Sequence, residues 1–276
     1  MGGGIRQQGV ALAIVLWFIA GMSLLVAGIV SQARVDTHMA QLHVARAKAV
    51  AAGDGAIQLL LADTVIAMGS RQEIPGPPAG IYQLGEVEVI VSLLPAAGLV
   101  DINSASPEIL AALFAMVGMG EEEARLLAEN VLKSRAVARG PGRPAGLDAM
   151  EDLLRVPGMS RTLLDALRDF IVVGTSAQGG MDWSQAPARL LAVLDRIDPS
   201  RADAVRSRRD RDARFRPARA YRADALVRYG DKTWLRRRWI SMESNPASAL
   251  PWSVVRTEPP RVLQDDSYLI GRSVDA

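Results

Sequence analysis

The sequence predicts an α+β protein: a long N-terminal helix, a small antiparallel sheet, and a large all-α region inserted within that sheet. Three observations predict it. An uncharged apolar run, Val10–Val30, passes without a proline into a helical stripe. Strand-textured segments occupy both 81–94 and 213–276. Between them, 99–212 reads as short capped helices, part of which repeats at a fixed offset of 81 residues.

The chain opens with a leader, residues 1–9, that is mostly glycine and polar and carries one charge, Arg6. Residues 10–30, VALAIVLWFIAGMSLLVAGIV, follow with no charge. Twenty-one residues in a helix span about 30 Å, the thickness of a bilayer's hydrocarbon core. A secretory signal peptide has a shorter apolar core with a small-residue cleavage site behind it. Here the clearest small-residue step, Gly9–Val10, lies in front. Arg6 on the short side sets the N-terminus in the cytoplasm by the positive-inside rule, with everything after Val30 across the membrane.

Residues 31–69 continue as an amphipathic stem. Val35, Met39, Leu42, Ala45, Ala49 and Ala52 recur at three- and four-residue steps, with Thr37, Gln41 and Lys48 on the other face. Gly53 and Gly55 weaken the helix locally before Ile57, Leu60, Leu61 and Met68 resume the pattern. Gly69 and the loop from Pro75 to Gly80 end it.

Gly85–Leu93 is rich in β-branched residues and reads as a strand, with Ile81, Tyr82 and Leu84 pairing before it. From Asp101 short helices take over. Ser106 is placed as an N-cap with Pro107 at the first helical position, and Ile109, Leu110, Leu113 and Phe114 form one face. Gly118-Met119-Gly120 turns into a second helix, Glu121–Arg135, with acids first and bases last, as the helix dipole favours. After a Gly- and Pro-rich stretch, Asp148–Glu151 resembles a capping box, and Ser160 caps a helix that buries Leu163, Leu164, Leu167 and Phe170. Asp101–Ala105 through Leu113 then matches Asp182–Ala186 through Leu194, and Arg125 falls on Arg206. Asp198-Pro199 supplies another cap and first-turn proline. In the last region Tyr221–Tyr229, Thr233–Met242 and Trp252–Arg256 are candidate strands, the first two joined by a turn at 229–232.

The formal net charge is only +2, yet Arg201–Trp239 holds fourteen basic against five acidic residues. Arg236, Arg237 and Arg238 lie between Trp234 and Trp239, which at strand spacing suggests an exposed basic face beside a packed one. There is no cysteine, so disulfides, thiolate zinc sites and cysteine nucleophiles are excluded. His38 and His43 stand five apart, unlike the four-residue spacing of a helical metal pair. No Walker motif, EF-hand loop or acid–base pair is legible. Asp101 and Asp182 hold equal places in the repeat and read as turn residues. No catalytic residue is assigned.

A leader, a glycine and a membrane helix that runs on as an amphipathic stem resembles the type IV pilins and pseudopilins. The resemblance implies that a prepilin peptidase cuts between Gly9 and Val10 and that Val10 is then N-methylated. The family carries Glu at the fifth mature position; here that position is Ile14. In the family's assembly scheme that Glu neutralises the amine of the subunit above, so its absence suits a filament tip. The helices of 99–212 resemble helix-hairpin-helix, or SAM-like, modules. Together with the segment Gly98–Pro107, these features are similar to the minor pseudopilin K family of type II secretion systems. That likeness implies a structural, non-enzymatic tip subunit of a pseudopilus supporting export of folded proteins across the outer membrane. It also implies a single-pass inner-membrane anchor, a periplasmic head, and other minor pseudopilins as partners. Calcium is possible by resemblance, with no ligands assignable. The family often has acids where this chain has Leu94-Pro95-Ala96-Ala97. The alternative is a membrane-anchored DNA-binding protein that uses its hairpins, with Arg206, Arg208, Arg209 and Arg211 as phosphate cations. Glu121-Glu122-Glu123 at the first hairpin opposes that reading, and nucleic acid is not the expected partner.

Overall fold

The computed structural model describes residues 6–70, 76–136, 146–173, 181–211, 215–243 and 249–263. The chain divides into two compact units, Met1–Ala51 and Ala52–Ala276. Helix α1 (Arg6–Gly69) runs through the boundary between them. In the first unit every described side chain from Ala11 to Gln41 is exposed. Val35 and Met39, the upper members of the stem stripe, are exposed. Burial on the helix starts at Ala49, where the pattern turns to small residues.

In the second unit, residues 52–69 of α1 bury Ala52, Ala56, Ile57, Leu60, Leu61 and Thr64, an i, i+3, i+4 stripe. The Thr64 hydroxyl donates to the Leu60 carbonyl, so a buried polar group on that stripe is satisfied within the helix. The stripe faces an antiparallel sheet. Strands β1 (Ala79–Leu84) and β2 (Val87–Pro95) form a hairpin whose two-residue loop begins at Gly85, at φ +62°. Strands β5 (Ala220–Tyr229) and β6 (Lys232–Ser241) form a second hairpin with Gly230 at φ +64° in the same place. A positive φ at that position favours glycine and matches the strand twist. The sheet order is β1-β2-β5-β6-β7, with β7 (Ser253–Thr257) and β8 (Arg261–Leu263) both pairing β6.

β2 alternates buried and half-buried along its length, as the sequence alternation predicts. Val89, Val91 and Leu93 stand opposite Val227, Ala225 and Ala223 and line the face toward α1. The helix approaches closely because Gly53 has no side chain. A Cβ there would lie 2.8 Å from the Arg236 Cβ and 3.3 Å from the Val227 Cγ2. Gly53 is therefore a packing contact as well as a weak helix former.

Between β2 and β5 the chain makes the helical insert. Strand β3 (Val100–Asp101) pairs in parallel with β4 (Ile171–Val172), which brackets a first module of α2 (Pro107–Met116), α3 (Glu121–Ala136), a 3-10 turn at Met150–Arg155 and α4 (Arg161–Leu167). The second module holds a 3-10 turn at Trp183–Gln185, α5 (Ala188–Ile197) and α6 (Pro199–Arg211). One apolar cluster spans both, including Ile102, Leu110, Phe114, Leu127, Leu164, Trp183, Leu190 and Leu194. Ser106 and Ser160 accept hydrogen bonds from the amides of Ile109 and Leu163, capping α2 and α4. The 148–151 segment departs from expectation. It leads into a 3-10 turn, and its capping carboxylate belongs to Asp152, which accepts from the amides of Asp148 and Ala149. Glu151 is exposed and pairs elsewhere.

Candidate functional site

The residues carrying the expected assembly role lie at the start of α1. Gly9 and Val10 are helical, within its first turns. Ile14 is exposed, in a run where Leu16, Trp17, Phe18, Leu24 and Leu25 also present their side chains outward. The helix is apolar and long enough to cross a membrane, and its apolar window buries nothing inside the protein. Such a surface is unfavourable in water and is of the kind that lipid or other apolar helices cover. His38 and His43 are exposed on the same helix. Among the described residues, no group of three or more His, Asp or Glu converges on a common point.

The second unit holds an ionic frame that the sequence reading did not resolve. The Arg236-Arg237-Arg238 triplet was expected to present an exposed basic face. Instead Arg236 and Arg237 are buried and Arg238 is half-buried. Alternation along β6 sends them to opposite sides of the sheet. Toward α1, Arg236 grips the Asp54 carboxylate with two donors, at 2.7 and 3.1 Å, and Arg238 adds a third at 2.6 Å. Toward the insert, Arg237 donates to Asp224 at 2.7 and 3.1 Å and pairs with Asp169 at 2.7 Å. Arg222 also binds Asp224 and donates to the Asp169 carbonyl. Burial pushes the Asp169 carboxyl up, but Arg237 and then Arg222 outweigh it and hold it below the usual carboxylate range. Four of the fourteen basic residues of 201–239, Arg222, Arg236, Arg237 and Arg238, are thus held by acids inside the protein. A pattern of arginines at strand spacing gave only a weak sign of this, because their acids are remote in sequence.

The two insert modules share a polar device at the offset of 81. In the first, Asp101 accepts from the Asn103 amide at 3.0 Å and from the Ser104 hydroxyl at 3.0 Å. In the second, Asp182 accepts from the Ser184 amide at 2.9 Å and from Gln185 Nε2 at 2.8 Å. An arginine from each module's second helix, α3 and α6, then donates to the carbonyls of that turn. Arg135 reaches those of Ile102 and Ala105, and Arg209 those of Trp183, Ser184 and Ala186. Burial pulls the Arg135 pKa down, against the attraction of Asp101. Burial pushes Asp182 up, but hydrogen bonds from Ser184 and Gln185 and the charge of Arg216 hold it down.

These contacts bear on the phosphate cations named above. Arg209 is committed to carbonyls of its own module. Arg206 pairs with Asp195 and Asp203, and Arg211 donates to the Ser207 carbonyl. In the first hairpin, Glu121, Glu122 and Glu123 are exposed at the start of α3, where a phosphate would have to sit. Among the described residues, the first hairpin thus presents acids, Arg206 a neutralised pair and Arg209 an internal clamp, while Arg208 and Arg211 stay exposed.

No family model and no curated protein matches this sequence. A solved structure does: a chain in the crystal structure of the GspK–GspI–GspJ complex from the enterotoxigenic Escherichia coli type 2 secretion system. It is similar over 83% of this chain and 99% of its own length, with a TM-score of 0.50 and 12% identity. At that identity the likeness is one of architecture, and with the apolar N-terminal helix it gives this chain a pseudopilin-like α+β fold.

Proposed function

We propose that this chain is a structural, non-enzymatic minor pseudopilin, placed at the tip of a type II secretion pseudopilus. On this reading a prepilin peptidase removes residues 1–9, Val10 becomes the methylated N-terminus, and the 10–30 helix holds the chain in the inner membrane until assembly. The head lies in the periplasm, and other minor pseudopilins pack against the helix and head.

One observation carries the reading. An apolar helix with every described side chain exposed continues into a stem that seats on an antiparallel sheet, and that sheet is interrupted between β2 and β5 by a two-module helical insert. The likeness across nearly the full length of a chain in a pseudopilin complex supports it. Ile14 supports the tip position. It offers no carboxylate to the amine of a subunit above, and an unpaired charge there is costly in an apolar setting.

Mass spectrometry of the protein from cells with an active prepilin peptidase should find an N-terminus at Val10. An N-terminus far downstream would defeat the reading. Co-purification with candidate minor pseudopilins, lost when residues 10–30 are exchanged for an unrelated membrane helix, tests the partners.

A further inference from the structure

The helical insert meets the sheet through charge more than through apolar surface. The apolar link is narrow: Trp239, Leu94, Ala96 and Ala220 join the insert's cluster. The polar link is dense and centres on two consecutive residues after α4. Asp169 faces Arg237 at 2.7 Å and Arg261 at 3.4 Å, with Arg222 on its carbonyl and Asp224 behind Arg237. Arg168 faces Glu258 at 3.8 Å, Glu151 at 3.5 Å and Asp165 at 3.6 Å. Glu151 is shared with Arg256, and Asp165 with Arg161. Glu258 also accepts from the Trp239 indole at 3.1 Å, and its carbonyl accepts from Arg236.

Four ion pairs thus cross the seam, Arg168–Glu258, Arg237–Asp169, Arg256–Glu151 and Arg261–Asp169, while Asp165 and Asp224 hold their arginines from the same side. Arg168, Arg222, Arg237, Asp224 and Glu258 are buried. Such a seam is balanced only while the acids are ionised. Protonation removes the negative partners, while guanidinium groups keep their charge at any pH the protein meets. Buried arginines would then repel one another with little solvent screening. The core of the insert is apolar and does not depend on these pairs.

We propose that the seam is an acid-sensitive latch, which lets the helical insert leave the sheet as a folded body. The sign follows from Asp169. Its carboxyl lies below the ordinary range, so its contribution is complete above an unfolded value of about 3.9 and is lost as pH falls through the lower folded value. The latch therefore holds at neutral and mildly acidic pH and opens in stronger acid.

The chain has no cysteine, so an introduced pair carries spin labels cleanly. Leu126→Cys on α3 and Asp231→Cys in the β5–β6 turn replace exposed residues on the two sides of the seam. Pulsed electron resonance on the full chain in detergent should give a narrow distance distribution at pH 7. It should broaden in acid while far-ultraviolet dichroism still reports full helicity. Adding Asp169→Asn and Glu258→Gln should broaden it at pH 7, and Asp169→Asn alone should shift the onset upward. Simultaneous loss of distance and helicity in the unmutated chain would overturn the proposal, as would a narrow distribution at pH 7 in a folded double variant. The acid titration of the unmutated seam decides the matter if the double variant misfolds.

Discussion

Gly53 and Gly55 sit two residues apart on one helix, yet alanine should act oppositely at the two sites. In a helix interior, Gly→Ala is worth up to about 1 kcal/mol of stabilisation. At Gly55 the new Cβ would meet only the Leu84 Cδ1, at 3.5 Å, an ordinary contact. That substitution should keep the whole propensity gain. At Gly53 the new Cβ would lie 2.8 Å from the Arg236 Cβ and 3.0 Å from its Cγ. Carbon pairs prefer about 3.5–4.0 Å, so helix and sheet must separate by roughly 0.7 Å or more. A Cβ cannot swing aside as a side-chain end can, and Arg236 is held by Asp54 next door. Overpacking of this kind costs about 1–3 kcal/mol, which cancels or exceeds the propensity gain. The two variants should therefore differ by about 1–3 kcal/mol. In a unit of this size each kcal/mol moves Tm by about 2–4 °C. Thermal unfolding of full-length protein in detergent, followed by near-ultraviolet dichroism, measures the difference. Equal stabilisation by both substitutions would show that the helix does not seat on the sheet at Gly53.

Asp224→Ala should cost about 3–5 kcal/mol in urea unfolding, because it removes the buried carboxylate that Arg222 and Arg237 share and leaves Asp169 to balance both. Arg135→Ala and Arg209→Ala should each cost about 1–3 kcal/mol by leaving carbonyls unpaired. Hydrogen exchange should rise at 102–105 in the first variant and at 183–186 in the second, and exchange that spreads equally over both turns would refute separate clamps. Burial, then the hydrogen bond to Asp63 and its charge, push the Tyr82 phenol well above its ordinary pKa. Its contribution is therefore complete below about pH 10 and declines as pH rises further. Tyr82→Phe should flatten the alkaline limb of the stability profile; an unchanged limb would place the titrating group elsewhere.

The fold class was legible because it rests on local signals. Apolar periodicity marked α1, β-branched alternation marked β2, and serine followed by a good first-turn residue marked α2 and α4. The repeat at 81 was legible as spacing, but the clamps behind it were not. Arg135 and Arg209 differ by 74 positions rather than 81, because the second hairpin's turn is three residues shorter and Arg209 lies one helical turn nearer the start of its helix. The triplet at 236–238 misled for a different reason. Strand alternation gives the side of the sheet but not what covers it, and Asp54 and Asp169 are far away in sequence. The upper stem stripe is exposed in this chain, because helical periodicity cannot say whether a partner surface belongs to the same chain. The processing junction at Gly9–Val10 is read from the sequence alone, since it concerns the order of residues and not their packing.

Pro95 and Tyr221 are register partners on neighbouring strands, yet 125 residues separate them. For an unstructured chain, closing a loop of that length costs about 4 kcal/mol beyond the cost common to all loops. A two-residue hairpin carries almost none of it. The pairing of β2 with β5 is therefore the slow, non-local step of this fold unless something shortens the loop first. The insert does so. Its helices are local, the parallel contact of Val100 with Ile171 closes the first module, and the Asp182 amide donating to the Ala97 carbonyl brings the start of the second back to the end of β2 before the sheet is joined. The order of events then follows from connectivity. The helical modules form, their ends meet, and the sheet closes behind them, so variants that unfold the insert should delay completion of the sheet even where they touch none of its strands.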